Sequence, residues 1–188
     1  MTDKLIIGLT GPIATGKTTV AKYLADKYGA KIYGFSEPLR DVLNRLYIPL
    51  DRPNLALMSN IIRSNFGEDL ISRTIAQDIQ HDDSPIIVLD GIRRLPDIET
   101  MKSLPGFRLL AINADVKLRW QRMTTRGQNS DDATKTYEQF LTDEQAEADR
   151  DIPQVMAGAQ TTLDNNTTIE ALIKQVEEYL KNNSFINK

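Results

Sequence analysis

The sequence predicts an α/β fold, a parallel five-stranded sheet with helices on both faces. Two observations predict it. Short runs that are apolar throughout, Leu5-Ile6-Ile7-Gly8-Leu9 and Ile86-Ile87-Val88-Leu89 among them, suit strands buried on both faces rather than strands with one wet side. Segments of helical period separate these runs, and strands alternating with helices build a parallel sheet through crossovers.

The elements follow in order. The strand over 5–9 leads through glycines and a proline into a helix over 18–28, with Val20, Ala21, Leu24 and Ala25 on one face and Gly29 as its terminator. Lys31-Ile32-Tyr33-Gly34-Phe35 is the second strand, and residues from Glu37 to about 80 are helical, interrupted at Pro49, Pro53 and Gly67. Strands over 86–89 and 109–112 follow, and Asp115 suits the N-cap of a helix running through Met123. The polar stretch 127–132 is a loop, helix resumes over 134–150, and Thr161-Thr162-Leu163 is a short last strand. The final helix is marked by a capping box of Thr167 and Glu170 and a stripe of Ile169, Leu172, Ile173, Val176 and Leu180. No repeat or linker divides the chain. A single domain spanning 1–188 is expected, with insertions at about 37–80 and about 119–135.

Composition narrows the chemistry. The 188 residues carry 23 Lys+Arg against 26 Asp+Glu, a net charge of −3, which supplies no basic field for gripping nucleic acid. With no cysteine, thiolate metal sites, disulfides and thiol nucleophiles are excluded. No apolar run reaches the roughly 20 residues that span a bilayer, and Met1-Thr2-Asp3-Lys4 leads straight into a strand. A cytoplasmic monomer or homodimer, with no membrane and no nucleic-acid partner, is the expectation.

Gly11-Pro12-Ile13-Ala14-Thr15-Gly16-Lys17-Thr18 matches G-x-x-x-x-G-K-[ST] in full, with a buried strand before it and an amphipathic helix after it. The glycines let the backbone wrap a phosphate with its N–H groups, and the helix N-terminus adds the positive end of its dipole. Gly11, Ala14, Thr15, Gly16, Lys17, Thr18 and Thr19 are therefore nucleotide-binding candidates, Lys17 reaching the β- and γ-phosphates and Thr18 holding Mg²⁺. ATP and Mg²⁺ are the expected cofactors. Asp90, closing a buried strand, is the second candidate Mg²⁺ ligand; a turn aspartate before Gly91 is the plainer alternative.

Arg119, Arg122 and Arg126 stand at i, i+3 and i+7, on one helix face ahead of the polar loop. Phosphoryl transfer needs cations on the transferring oxygens as a site closes, so all three are candidate catalytic groups of a lid, and Arg122 is also a candidate ATP ligand. A solvated basic face paired with Asp131 or Asp132 is the alternative. In Ser36-Glu37-Pro38-Leu39-Arg40, Glu37 can orient or deprotonate an acceptor and Arg40 can clamp its phosphate, while Ser36 caps a helix. Arg93 and Arg94 are further candidates to hold the acceptor's phosphate, one of the two being only a surface residue. Arg63 and Arg73, in the helical insertion, are candidates to hold the acceptor, with plain surface positions the alternative. Trp120 suits base stacking or packing.

These residues resemble the P-loop nucleotide kinases related to nucleoside monophosphate kinases and dephospho-CoA kinase, over most of the chain. Residues 6–21 and 163–172 are similar to the two ends of dephospho-CoA kinases, where the second segment borders the adenine of ATP. The middle departs: that enzyme's Asp-x-Asp after the second strand is replaced by Ser36-Glu37-Pro38-Leu39-Arg40. This segment and Leu89-Asp90-Gly91-Ile92-Arg93 resemble phage-type deoxynucleoside monophosphate kinases and an archaeal group of kinase-like proteins. The resemblance implies a P-loop NTPase fold of nucleotide-kinase type, with a lid and an acceptor-binding helical insertion. It also implies that Arg40 and Arg93 bind an acceptor nucleotide's phosphate, with Glu37 standing where many members carry a catalytic aspartate. The expected activity is transfer of the γ-phosphoryl of Mg·ATP to a (deoxy)nucleoside monophosphate. Dephospho-CoA kinase is one rival, and a P-loop nucleotide-binding switch or assembly protein is another.

Overall fold

The computed structural model describes residues 4–126, 132–144 and 150–185. In chain order the elements are β1 (Leu5–Thr10), α1 (Lys17–Tyr28), β2 (Lys31–Gly34), α2 (Glu37–Arg45), α3 (Arg52–Phe66), α4 (Leu70–Gln80), β3 (Ile86–Ile92), α5 (Leu95–Lys102), β4 (Phe107–Asn113) and α6 (Val116–Arg126). After a 3₁₀ turn at Asp132–Thr134 come α7 (Tyr137–Asp143), α8 (Ile152–Ala157), β5 (Thr161–Asp164) and α9 (Ile169–Asn182).

The five strands form the expected all-parallel sheet, in the order β2-β3-β1-β4-β5. Strand β1 is central and buried along its whole length, which its unbroken apolar sequence dictates. Its side chains alternate between two cores. Leu5, Ile7 and Leu9 meet Val20 and Leu24 of α1 and Leu172, Val176 and Leu180 of α9 on one face. Ile6 faces Ile71, Ile75 and Ile79 of α4, Ile98 and Met101 of α5 and Val155 of α8 on the other. A helix layer therefore covers each side, and ligands have access at the strand ends.

Three local expectations are corrected. Thr168, not Thr167, caps α9: its hydroxyl accepts from the N–H of Ala171, so Glu170 falls one position short of a capping box. This register turns Leu172, Val176 and Leu180 inward and leaves Ile169 exposed. The helix expected over 134–150 is broken; α7 ends at Asp143 and α8 begins at Ile152, with residues 145–149 outside those described. Helix α5 was not marked by the sequence pattern because its eight residues give only two inward apolar positions, Ile98 and Met101.

The strand ends position the candidate site. Strand β1 opens directly into the 11–16 loop, and its neighbour β3 pairs Asp90 with Leu9 before the register shifts. Across β3, Gly34 of β2 pairs with Asp90, so the segments after β2 and β3 leave the sheet side by side.

Candidate active site

The loop after β1 is shaped by close approach. Gly16 has φ 105°, and a Cβ there would lie 2.6 Å from the side-chain nitrogen of Asn165. Gly11 has φ 137°, and a Cβ there would run into the carbonyl oxygen of Ile112. Both positions refuse a side chain on conformation and on space. Between them Thr15 is fully buried and donates to the carbonyl of Pro12 at 3.0 Å, closing the turn on itself. Helix α1 starts at Lys17 with no side-chain cap, leaving its first N–H groups to the loop. The Lys17 ammonium lies across the loop, donating to Gly11 O at 2.7 Å and Pro12 O at 2.8 Å. Thr19 follows in the same first turn.

The two candidate Mg²⁺ ligands meet. The Thr18 hydroxyl donates to Asp90 Oδ2 at 3.0 Å. One hydroxyl and one carboxylate are the sparse, hard-oxygen set that Mg²⁺ uses when phosphates and waters complete its octahedron, so these residues fit the ion. Among the described residues no group of three or more acidic or histidine side chains offers an all-protein metal cage.

The arginine row of α6 is not uniform. Arg119 is buried at 6% exposure. It donates through Nε to Ala114 O at 3.1 Å, through Nη1 to Ile13 O of the loop at 3.4 Å, and through both terminal nitrogens to the carboxylate of Glu144. The guanidinium also packs on the Phe140 ring, 5.6 Å from its centroid. Instead of presenting a free cation, Arg119 ties α6, the loop and the end of α7 together. Arg122 differs: Nη2 donates to Asn165 Oδ1 at 3.4 Å, while Nη1 is buried with no hydrogen-bond partner among the described residues. That orphaned cationic nitrogen near the loop fits a phosphate oxygen. Arg126 ends α6, and its side chain lies outside those described, as does the loop 127–131. Trp120 packs edge-on against Tyr137 and donates to Lys135 O at 2.9 Å, a packing role.

Beyond β2, Glu37 opens α2 and is exposed, lining a recess of about 490 Å³ with Tyr33, Asp41, Asp78 and Asp82. Arg40 is exposed one turn on, with Nε 3.4 Å from Ser36 Oγ. Arg93 is exposed just beyond β3, in the segment that emerges next to Ser36–Arg40. Arg94 bonds Glu68 at 3.3 Å. Arg63 and Arg73 are held elsewhere. Arg73 pairs along α4 with Asp69 at 3.2 Å, on the surface. Arg63, 7% exposed, bonds Asp97 at 3.1 and 3.2 Å and the backbone carbonyl of Glu68, joining α3 to α5. Burial pushes the Asp97 carboxyl above its ordinary value, against the pull of the Arg63 charge. A second recess of about 310 Å³, mostly apolar, opens beside the loop between Pro12, Glu144, Ile152, Pro153 and Met156.

Glu144, Asp97 and Asn165 were not singled out as site residues by sequence. Glu144 and Asp97 carry no local signal, since their partners stand 25 and 34 residues away. Asn165 lay within the segment similar to dephospho-CoA kinases, and that was its only signal.

The AAA_18 family model, an AAA domain, matches residues 7–151. The UPF0200 protein of Sulfurisphaera tokodaii is 31% identical over 94% of this chain and 96% of its own length. The chain is a UPF0200-type member of the AAA_18 family. Another UPF0200 protein, from Methanosarcina barkeri, is 25% identical over 94% of this chain and 94% of its own. Solved structures share the fold of this UPF0200 chain across almost its whole length. Shikimate kinase from Bacteroides thetaiotaomicron superposes with a TM-score of 0.63 at 16% identity, covering 94% of this chain and 98% of that one. TT1252 from Thermus thermophilus gives 0.62 at 20% identity, covering 96% and 98%. The fold is that of the P-loop kinases, as the sequence led one to expect. Among the described residues no helix is long and apolar enough to cross a membrane.

Proposed function

We propose that this UPF0200 protein is a small-molecule kinase that transfers the γ-phosphoryl of Mg·ATP to the phosphate of a nucleoside or deoxynucleoside monophosphate. The observation that carries the reading is the meeting of Thr18 and Asp90 at 3.0 Å beside a complete phosphate-binding loop in a P-loop-kinase fold. In the reaction an oxygen of the acceptor's phosphate attacks the γ-phosphorus, the bond to the β–γ bridging oxygen breaks, and ADP leaves with that electron pair. The acceptor oxygen is already anionic near neutral pH, so this chemistry needs positioning and charge stabilisation more than a base. The loop N–H groups and the uncapped N-terminus of α1 hold the donor phosphates. Lys17 swings from the Gly11 and Pro12 carbonyls to the β- and γ-phosphates, and Arg122 Nη1 takes a phosphate oxygen. Thr18 and Asp90 hold Mg²⁺, which when bound neutralises charge building on the phosphates. Arg40 and Arg93, carried on neighbouring segments beyond β2 and β3, clamp the acceptor's phosphate.

The second reading is favoured by the shikimate kinases among the structures of like fold. In it the acceptor is a hydroxyl, as in dephospho-CoA kinase, and Glu37 becomes the base that the neutral nucleophile requires. A panel of acceptors in a coupled ADP-release assay decides between the two. Stimulation by a nucleoside monophosphate, with the acceptor KM raised at least about tenfold in Arg40→Ala, is the expected result. Stimulation by hydroxyl acceptors alone, abolished in Glu37→Gln, overturns it in favour of the second reading. ATP binding with no acceptor stimulating ADP release would leave the nucleotide-binding switch.

A further inference from the structure

We infer that Asn165 is a positioning residue that couples the phosphate-binding loop to Arg122, so that loop and guanidinium meet the nucleotide's phosphates as one rigid unit. This rests on the nucleotide-binding reading above and adds to it a residue that touches neither ATP nor acceptor in the proposed scheme. Asn165 follows β5 directly and is 4% exposed. Its backbone N–H donates to Asn113 O at 2.8 Å, which fastens it to the end of β4. The side chain then spans a gap between two functional elements. Nδ2 donates to the carbonyl of Thr15 in the loop at 2.7 Å, and Oδ1 accepts from Arg122 Nη2 at 3.4 Å.

The chemistry fixes which end of the amide points where. Reversing it would set the amide NH₂ against a guanidinium and its oxygen against a carbonyl, losing both bonds to like-with-like contacts. Neither a carboxylate nor a hydroxyl of similar reach supplies one donor and one acceptor at these two places. The loop is built around the same group: the 2.6 Å between a Gly16 Cβ and Nδ2 means that the glycine gives the asparagine its seat. The consequence falls on Arg122. The Nη2 contact orients the guanidinium so that Nη1 is buried without an acceptor among the described residues. Leaving a charged donor unmet is costly, and an incoming phosphate oxygen relieves that cost. Asn165 thus presets the place of the cation relative to the loop that binds the same phosphates, and binding needs less reorganisation.

The test is a double-mutant cycle on the full chain, titrating Mg²⁺ with a non-hydrolysable ATP analogue by calorimetry. ADP serves as a parallel probe, and circular dichroism checks folding. Asn165→Ala and Arg122→Ala are each expected to weaken the analogue about tenfold, and the double variant to fall little further, because each removes the same coupled interaction. A general loosening of the fold by Asn165→Ala would instead multiply its loss with that of Arg122→Ala. An analogue loss not shared by ADP assigns Nη1 to the γ-phosphate; an equal loss for both assigns it to the α- or β-phosphate. Asn165→Ser, polar but too short to reach both partners, replaces the alanine variant in the cycle if that one does not fold. Losses that multiply in the double variant, or Asn165 variants that bind like the wild type, overturn the inference. A wild type that binds no nucleotide at all overturns the underlying reading instead.

Discussion

Arg63 offers the sharpest choice between a site role and a structural one. Its side chain is 6% exposed and that of Asp97 3%, with the two bonded at 3.1 Å. In Arg63→Ala the Asp97 carboxylate stays buried with its principal counter-charge gone, a change that typically costs about 3–5 kcal/mol. For a domain of 188 residues, unfolding entropy of about 2.1 cal/mol/K per residue converts this to a fall in Tm of roughly 8–13 °C. The raised carboxyl of Asp97 says more: burial outweighs the attraction of Arg63, so the pair as a whole adds little net stability. Replacing both partners together, Arg63→Met with Asp97→Leu, is accordingly expected to bring the Tm back to within about 3 °C of the wild type. Differential scanning calorimetry on the wild type and the two variants, with the acceptor KM measured alongside, gives the answer. An Arg63→Ala protein that melts like the wild type but shows a raised acceptor KM would refute the strut and return Arg63 to the acceptor site.

Lys17→Ala is expected to lower turnover by about 10²–10³-fold with the fold intact, because Thr15 still closes the loop turn when the ammonium's bonds to Gly11 O and Pro12 O are lost; near-normal turnover would remove Lys17 from the chemistry. A second outcome concerns acid stability. Burial alone would raise the carboxyl of Glu177, but hydrogen bonds from Tyr23, Tyr28 and Lys27, with the lysine's charge, hold it down to about 2 against an ordinary 4.5. A depressed carboxyl stabilises the fold above its unfolded value and ceases to do so as pH falls through the folded one. Glu177→Gln should therefore be less stable than the wild type by about 1–3 kcal/mol near neutrality, with the gap closing towards about pH 2; urea melts that show a constant gap across this range would deny the charge any role.

Strand positions, their parallel arrangement and the phosphate-binding loop were legible because each is encoded locally. An unbroken apolar run such as residues 5–9 states its burial without reference to the rest of the chain. The full G-x-x-x-x-G-K-[ST] pattern likewise states its own conformation, down to the two glycines whose side-chain space is taken by Ile112 and Asn165. Helix limits were less legible, since caps compete over neighbouring residues. Thr167 and Thr168 offer the same hydroxyl, and only the inward register of Leu172, Val176 and Leu180 chooses the second.

The arginines show where local reading stops. Arg63, Arg119 and Arg122 are alike in sequence, each a cation on a helix near polar neighbours. The structure separates them by what lies opposite, at sequence distances of 34, 25 and 43 residues. Arg63 and Arg119 face carboxylates, so their charge is largely cancelled where it stands, and a phosphate would have to displace a buried partner to reach them. Arg122 faces a neutral amide, which orients a guanidinium without cancelling it, and keeps one nitrogen unmet among the described residues. A site that must attract phosphate and hold it in one geometry needs a cation positioned by a neutral group. Of these three arginines only Arg122 meets that condition. The charge available to a nucleotide is therefore set less by how many arginines line the site than by the partners each has been given, and that is a property of long-range contacts that no window of sequence contains.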